Sequence, residues 1–172
     1  VIILGIDCSS TCLGWALLDG GACAGWGHYD LTGQIDERCE QAQLHAGALL
    51  DRLRPTLVVI EEPPVHLGGT VIVLAHALGA VLVALRQRRA LWHKLQPSEG
   101  KKALTGSGAA KKPQMVEVAA AQLGLAGRVA TKKSKVVLLD LHDGRVLLTE
   151  DEADAYALAL AGQGVTVERV AA

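Results

Sequence analysis

Carboxylates stand at three separated places in this sequence, each beside an apolar segment, and acids so placed can do phosphoryl chemistry. Asp7 closes the apolar run 1–6, Glu61 and Glu62 close the run 57–60, and Asp151 and Asp154 open the helix-forming stretch 149–161. An acid at the end of a buried strand is costly unless it is paired or ligates a cation. Several acids sharing one cleft repel each other, and a hard divalent cation relieves that repulsion. Two Mg²⁺ ions roughly 4 Å apart can activate a water and stabilise the leaving oxygen of a phosphodiester. At 3.6 residues per turn, Asp151, Asp154 and Leu158 share one helix face, so both carboxylates point into whatever that face meets. Glu150 and Glu152 have a simpler role. Acids in a first turn complement the helix dipole, and Thr149 followed by Glu152 reads as a capping box.

The elements that must position these acids alternate between strand and helix. The run 1–6 reads as a strand buried on both faces, Ser9, Ser10 and Thr11 as a turn, and 13–18 as a second strand. A third strand follows over 23–30, after a tight Asp19-Gly20-Gly21 turn. Residues 36–54 read as an amphipathic helix with Cys39, Ala42, Leu44, Ala46, Leu49, Leu50 and Leu53 as its apolar face, ended by Pro55. A buried strand over 56–60, a loop over 66–69 and a long apolar helix over 70–89 come next. That helix must be covered by the sheet or by a second subunit. A fifth strand over 90–95 precedes a short helix over 97–104. A loop at 105–109 is flanked by Lys101-Lys102 and Lys111-Lys112, and a helix over 113–123 starts with Pro in a permitted position. Residues 136–148 resemble a hairpin turning at His142-Asp143-Gly144, and 164–170 a terminal strand.

With 172 residues and half of them apolar, the chain can build a full core within one domain, 1–172. No apolar run is long enough to span a membrane, and the start lacks a basic n-region with a cleavage site. A cytoplasmic protein is expected. Cys8, Cys12, Cys23 and Cys39 lack zinc spacing and read as reduced thiols. Net charge is −1, yet the charges segregate: 12 of the 17 basic residues fall between Arg86 and Lys135, against only Glu99 and Glu117. A basic zone beside an acidic zone favours a polyanion partner.

The segment Ile3-Leu-Gly-Ile-Asp-Cys-Ser-Ser-Thr-Cys-Leu-Gly-Trp-Ala16 resembles the opening motif of the RuvC family of Holliday-junction resolvases, within the RNase H-like superfamily. Val58-Val-Ile-Glu-Glu-Pro63 is similar to its second acidic strand. Lys101 to Met115, with Gly106-Ser-Gly108, resembles its basic DNA-contacting segment, and Asp151-Glu-Ala-Asp-Ala-Tyr-Ala157 its closing acidic helix. The resemblance implies an RNase H-like α/β fold: a mixed five-stranded sheet, three antiparallel N-terminal strands plus two parallel, flanked by helices. An extra hairpin stands before the last helix. It also implies that Asp7, Glu61, Asp151 and Asp154 are catalytic and bind two Mg²⁺ or Mn²⁺ ions, with Glu61 chosen over Glu62 because it directly follows the apolar run. Lys101, Lys102, Ser107, Lys111 and Lys112 would contact DNA. The implied substrate is the four-way junction, cut by paired nicks from a homodimer, with the helix over 70–89 as the dimer contact and a branch-migration helicase as partner.

Three features depart from the family pattern. Cys8-Ser9-Ser10 replaces Pro-Gly after the first Asp, Pro64 stands where an aromatic wedge is usual, and residues 128–148 exceed the usual link to the last helix. Other classes share parts of the pattern. The actin-like kinases and ATPases have a similar opening but need two such domains, and threonylcarbamoyl-tRNA accessory proteins lack the closing acid pair. A non-catalytic junction-binding module would have no need of four acids. A YqgF-like nuclease acting on flaps or structured RNA would keep them.

Overall fold

The computed structural model describes residues 1–63 and 68–165, and over 68–71 the backbone alone. Five strands form the main sheet: β1 (Ile2–Cys8), β2 (Cys12–Asp19), β3 (Ala22–Asp30), β4 (Leu57–Glu61) and β5 (Trp92–Leu95), in the order β3-β2-β1-β4-β5. The first three pair antiparallel, and β4 and β5 run parallel to β1. That is the mixed arrangement of three antiparallel and two parallel strands expected from the sequence.

β1 and β4 are buried on both faces, so alternate side chains feed two separate cores. Leu4, Ile6, Val58 and Ile60 meet α1 (Ile35–Leu53) and α2 (Gly68–Gln87) through Ala42, Ala46, Leu49, Val81 and Leu85. Ile3, Leu57 and Val59 meet the opposite layer, made of α3 (Pro97–Thr105), α4 (Lys112–Gln122) and α5 (Glu150–Gly162). Each fully buried Leu, Ile or Val contributes about 1.5–3 kcal/mol relative to exposure. Leu44 does not join this core. It is 62% exposed, because at about 100° per residue it lies opposite the stripe formed by Ala42 and Ala46. Arg54, in the left-handed region at φ 46°, closes α1 just ahead of Pro55.

Between α4 and α5 the chain builds a second sheet, β6 (Arg128–Lys132), β7 (Lys135–Leu139) and β8 (Val146–Thr149), in the order β6-β7-β8 and antiparallel throughout. The hairpin expected over 136–148 is therefore present, and β6 makes it a three-stranded sheet. Val137, Leu138 and Leu148 are buried, Leu138 and Leu148 in the core shared with α4 and α5. The helix expected from residue 70 begins at Gly68, so it takes in 68–69 of the expected loop, while 66–67 lie outside the described residues. Of the terminal strand expected over 164–170, only Gly164 and Val165 are described, and they follow α5 as a turn.

Candidate active site

The main sheet aims its acids by strand periodicity. Ile6 pairs with Ile60 across β1 and β4, so Asp7 and Glu61, one residue further on, stand side by side at the carboxyl ends of neighbouring parallel strands. Ile6 and Ile60 face α1 and α2. The next residues must therefore face the other layer, where α5 lies.

α5 rests directly on β1 and β2 because glycines face it. A Cβ at Gly5 would lie 2.1 Å from the Ala155 carbonyl oxygen, and one at Gly14 would lie 2.3 Å from that of Asp151. Asp7 pairs with Gly14 in the sheet, which brings the first turn of α5 over Asp7. One cleft of about 250 Å³ results, lined by Asp7, Cys8, Ser9, Glu61, Pro63, Leu74, Leu78, Pro97, Lys101, Lys112, Asp151 and Asp154. All four acids singled out in the sequence come together there. Glu62 faces elsewhere and accepts a hydrogen bond from Gln96 Nε2 at 2.7 Å.

The first turn of α5 is unusually acidic for a buried segment, and each of its acids has its own cationic or imidazole partner. Lys112 Nζ donates to Glu150 Oε1 at 2.5 Å, and the backbone N–H of Val136 donates to Glu150 Oε2 at 2.8 Å. Lys135 Nζ donates to Asp151 Oδ2 at 2.6 Å. His28 Nδ1 lies 3.0 Å from Glu152 Oε1. Glu152 also closes the capping box: its Oε2 accepts from the Thr149 N–H at 2.7 Å, while Thr149 Oγ1 accepts from the Glu152 N–H at 3.3 Å. By contrast Asp7, Glu61 and Asp154 make no salt bridge among the described residues.

Those three carboxylates carry the consequence in their acidities. Burial, reinforced by the charges of Asp154, Glu61 and Asp151, holds the Asp7 carboxyl well above the usual carboxylate range despite Lys112. Burial and the charge of Glu61 push Asp154 up to about 7, with Lys112 pulling the other way. Burial raises Glu61, and Lys101 and Lys112 oppose it. Burial alone would lower the Lys112 ammonium, but its bond to Glu150 and the surrounding acids raise it. Burial and the charge of Asp7 push the Cys8 thiol up to about 12, so it is neutral and inert beside the acids. All four cysteines are free thiols.

An oxygen-only set of three uncompensated carboxylates plus Asp151 fits a hard divalent ion such as Mg²⁺ or Mn²⁺. Among the described residues no three Asp, Glu, His or Cys side chains are gathered tightly enough to hold an ion as they stand. Mutual repulsion between like charges opposes such gathering until a cation enters.

The basic residues expected to contact DNA divide. Lys101 and Lys112 line the cleft. Lys102 is exposed and lines a separate depression with His93, Leu95 and Ala161. Lys111 is exposed just ahead of α4, and Ser107 is exposed in the loop after α3, where its Oγ accepts from the Ala109 N–H at 3.3 Å. Sequence reasoning missed Lys135 at Asp151 and gave Glu150 only a helix-end role. Glu150 carried a signal, since four acids in five positions exceed what one helix end uses. Lys135 carried none, because its contact depends on how the second sheet folds back.

A sheet ordered β3-β2-β1-β4-β5 with acids at the ends of β1 and β4 and on the final helix is the RNase H-like nuclease arrangement. The structure of Thermus thermophilus RuvC superposes with a TM-score of 0.69 at 25% identity, covering 95% of this chain and 93% of that one. The yeast mitochondrial Holliday junction resolvase Ydc2 shares the fold, with a TM-score of 0.60 at 12% identity over 92% of this chain and 76% of its own. The family model described as crossover junction endodeoxyribonuclease RuvC matches residues 3–134. Crossover junction endodeoxyribonuclease RuvC of Chloroflexus aurantiacus is 33% identical over 139 residues, 72% of this chain and 79% of that protein. The protein of that name from Xanthomonas oryzae pv. oryzae is 31% identical over 157 residues, 86% of this chain and 89% of its own. The chain belongs to the RuvC family.

Proposed function

We propose that this protein is an endodeoxyribonuclease that resolves four-way DNA junctions, with residues 1–172 as one nuclease domain. The observation that carries the reading is the convergence of Asp7, Glu61, Asp151 and Asp154 from three elements on one cleft flanked by Lys101 and Lys112, in a chain of the RuvC family. Asp7, Glu61, Asp151 and Asp154 would hold the divalent ions. When bound, a pair of such ions supplies an activated water and neutralises the leaving oxygen. Lys112 and Lys101 hold the scissile phosphate against the acids, where the low local dielectric strengthens every charge–charge contact. Lys102, Lys111 and Ser107 meet the phosphate backbone further out. The chemistry is hydrolysis: a water oxygen bonds to phosphorus, one phosphodiester P–O bond breaks, and a phosphate end and a hydroxyl end result. Paired nicks require a homodimer, and family membership alone suggests a branch-migration helicase as a further partner.

The test is cleavage of a mobile-core four-way junction beside linear duplex and an RNA hairpin, with Mg²⁺, Mn²⁺ or EDTA, and with Asp7→Asn as control. Metal-dependent cutting confined to the junction supports the reading. Cutting of linear duplex or RNA in preference to the junction discards the substrate assignment, and cleavage by Asp7→Asn at the wild-type rate discards the site.

A further inference from the structure

The second sheet, β6-β7-β8, has an uneven charge distribution. Its β6–β7 turn, at the end nearest the cleft, carries Lys132, Lys133 and Lys135 with no acid among them, while the other end carries Arg128 and Arg145 together with Asp140 and Asp143. Lys132 and Lys133 are exposed and make no salt bridge among the described residues. Lys133 and Ser134 both occupy the left-handed region, at φ 49° and 66°. Glycine or asparagine adopts that conformation at least cost, so here charged and hydroxyl side chains are presented where a plain turn favours smaller residues.

The turn is also fixed to the acidic cleft. Lys135 Nζ bonds Asp151 Oδ2 at 2.6 Å, and the next backbone N–H, of Val136, bonds Glu150 Oε2 at 2.8 Å. Lys132 pairs with Lys135 across the turn, so Lys132 and Lys133 stand next to the anchored lysine. A solvated surface hairpin has no need of two bonds to the acids of a neighbouring helix. A hairpin that carries unpaired lysines to a set position beside the cleft does.

We propose that the β6–β7 turn is a phosphate grip for the DNA substrate: Lys132 and Lys133 hold the sugar-phosphate backbone beside the cleft, at a position fixed by the Lys135–Asp151 pair. The inference rests on the reading of the cleft as a DNA nuclease site. It predicts a binding contribution that is electrostatic, indifferent to base sequence and sensitive to salt.

The experiment measures equilibrium binding of an immobile four-way junction in EDTA across a salt series, for wild type, Lys132→Ala/Lys133→Ala and Arg145→Ala. Loss of two phosphate contacts lowers the slope of log K against log salt by about 0.9 each, about 1.8 in all, while Arg145→Ala keeps the wild-type slope. Both lysines are exposed, so the melting temperature of the double variant stays at the wild-type value and separates lost contacts from lost fold. A wild-type slope in the lysine variant overturns the grip, and so does an equal fall in Arg145→Ala. Charge reversal, Lys132→Glu/Lys133→Glu, weakens binding beyond the alanine pair, and the same affinity for both pairs likewise overturns it. Failure of wild type to bind the junction at all is a different result, because it removes the nuclease reading on which the grip depends.

Discussion

The division among the acids decides how the site behaves before any metal enters. Glu150, Asp151 and Glu152 are each matched by Lys112, Lys135 or His28, whereas Asp7, Glu61 and Asp154 repel each other in a buried cleft. Asp7→Asn therefore removes one repelling charge. At pH 8 without divalent ions it raises protein stability, on the order of 1 kcal/mol, even as it abolishes cleavage and spares junction binding. A melting temperature below wild type in that buffer would contradict the repulsion account. The pH dependence follows from Asp154, raised by burial and by Glu61 from 3.8 to about 7. The folded protein holds this proton more tightly than the unfolded chain, so protons favour the fold. Its contribution is complete below 3.8 and is lost as pH rises through about 7. Metal-free melting temperatures should fall between pH 5 and 8, and Mg²⁺ should restore much of the loss at pH 8. Asp154→Asn should flatten the metal-free profile, and an unchanged profile in that variant would assign the effect to another group.

At the scale of elements, the site depends on how closely α5 approaches β1 and β2. Gly14→Ala would place a methyl 2.3 Å from the Asp151 carbonyl oxygen, so α5 must move and carry Asp151 and Asp154 away from Asp7. Overpacking of this kind costs about 1–3 kcal/mol, and displacement by about 1 Å can cost roughly a hundredfold in rate. Differential scanning fluorimetry and single-turnover cleavage check both, and full activity in a folded Gly14→Ala protein would rule out the close approach as the positioning device. Much of this was legible beforehand. Apolar runs ending in Asp7 and Glu61, the Thr149–Glu152 capping box and the spacing of Asp151 and Asp154 each have a local physical cause that sequence shows. β6 was not legible, because Arg-Val-Ala-Thr-Lys is short, half exposed and followed by a turn without Gly or Asn. Leu44 misled because apolar character was counted without its angular position on the helix. Lys135 at Asp151 and His28 at Glu152 join positions 16 and 124 residues apart, and only the assembled layers decide such pairs.

At the scale of the whole molecule, the proposed homodimer would hold two clefts in fixed relation, and the proposed contact is the outer side of α2. Its inner side packs through Leu78, Val81, Ala84 and Leu85, while Leu74 and Leu78 line the acidic cleft. Its outer side leaves Ile72 61% and Val83 45% exposed, with His76 exposed between them and open space beside Gly79. These positions recur at helical spacing and form one stripe, apolar but for His76. A second copy seated there would bury that stripe and couple partner position to cleft position through the same helix. Val83→Glu places a charge within such a contact, where an unpaired buried carboxylate is strongly unfavourable, but leaves the single protomer's core untouched. On that proposal, light scattering should report a dimer for wild type and a monomer for the variant. On a supercoiled cruciform plasmid, the variant should accumulate the nicked circle, whereas wild type gives the linear product of two coordinated cuts. A dimeric Val83→Glu protein moves the interface off this face of α2. A monomeric variant that still linearises the plasmid in one binding event removes the need for a dimer.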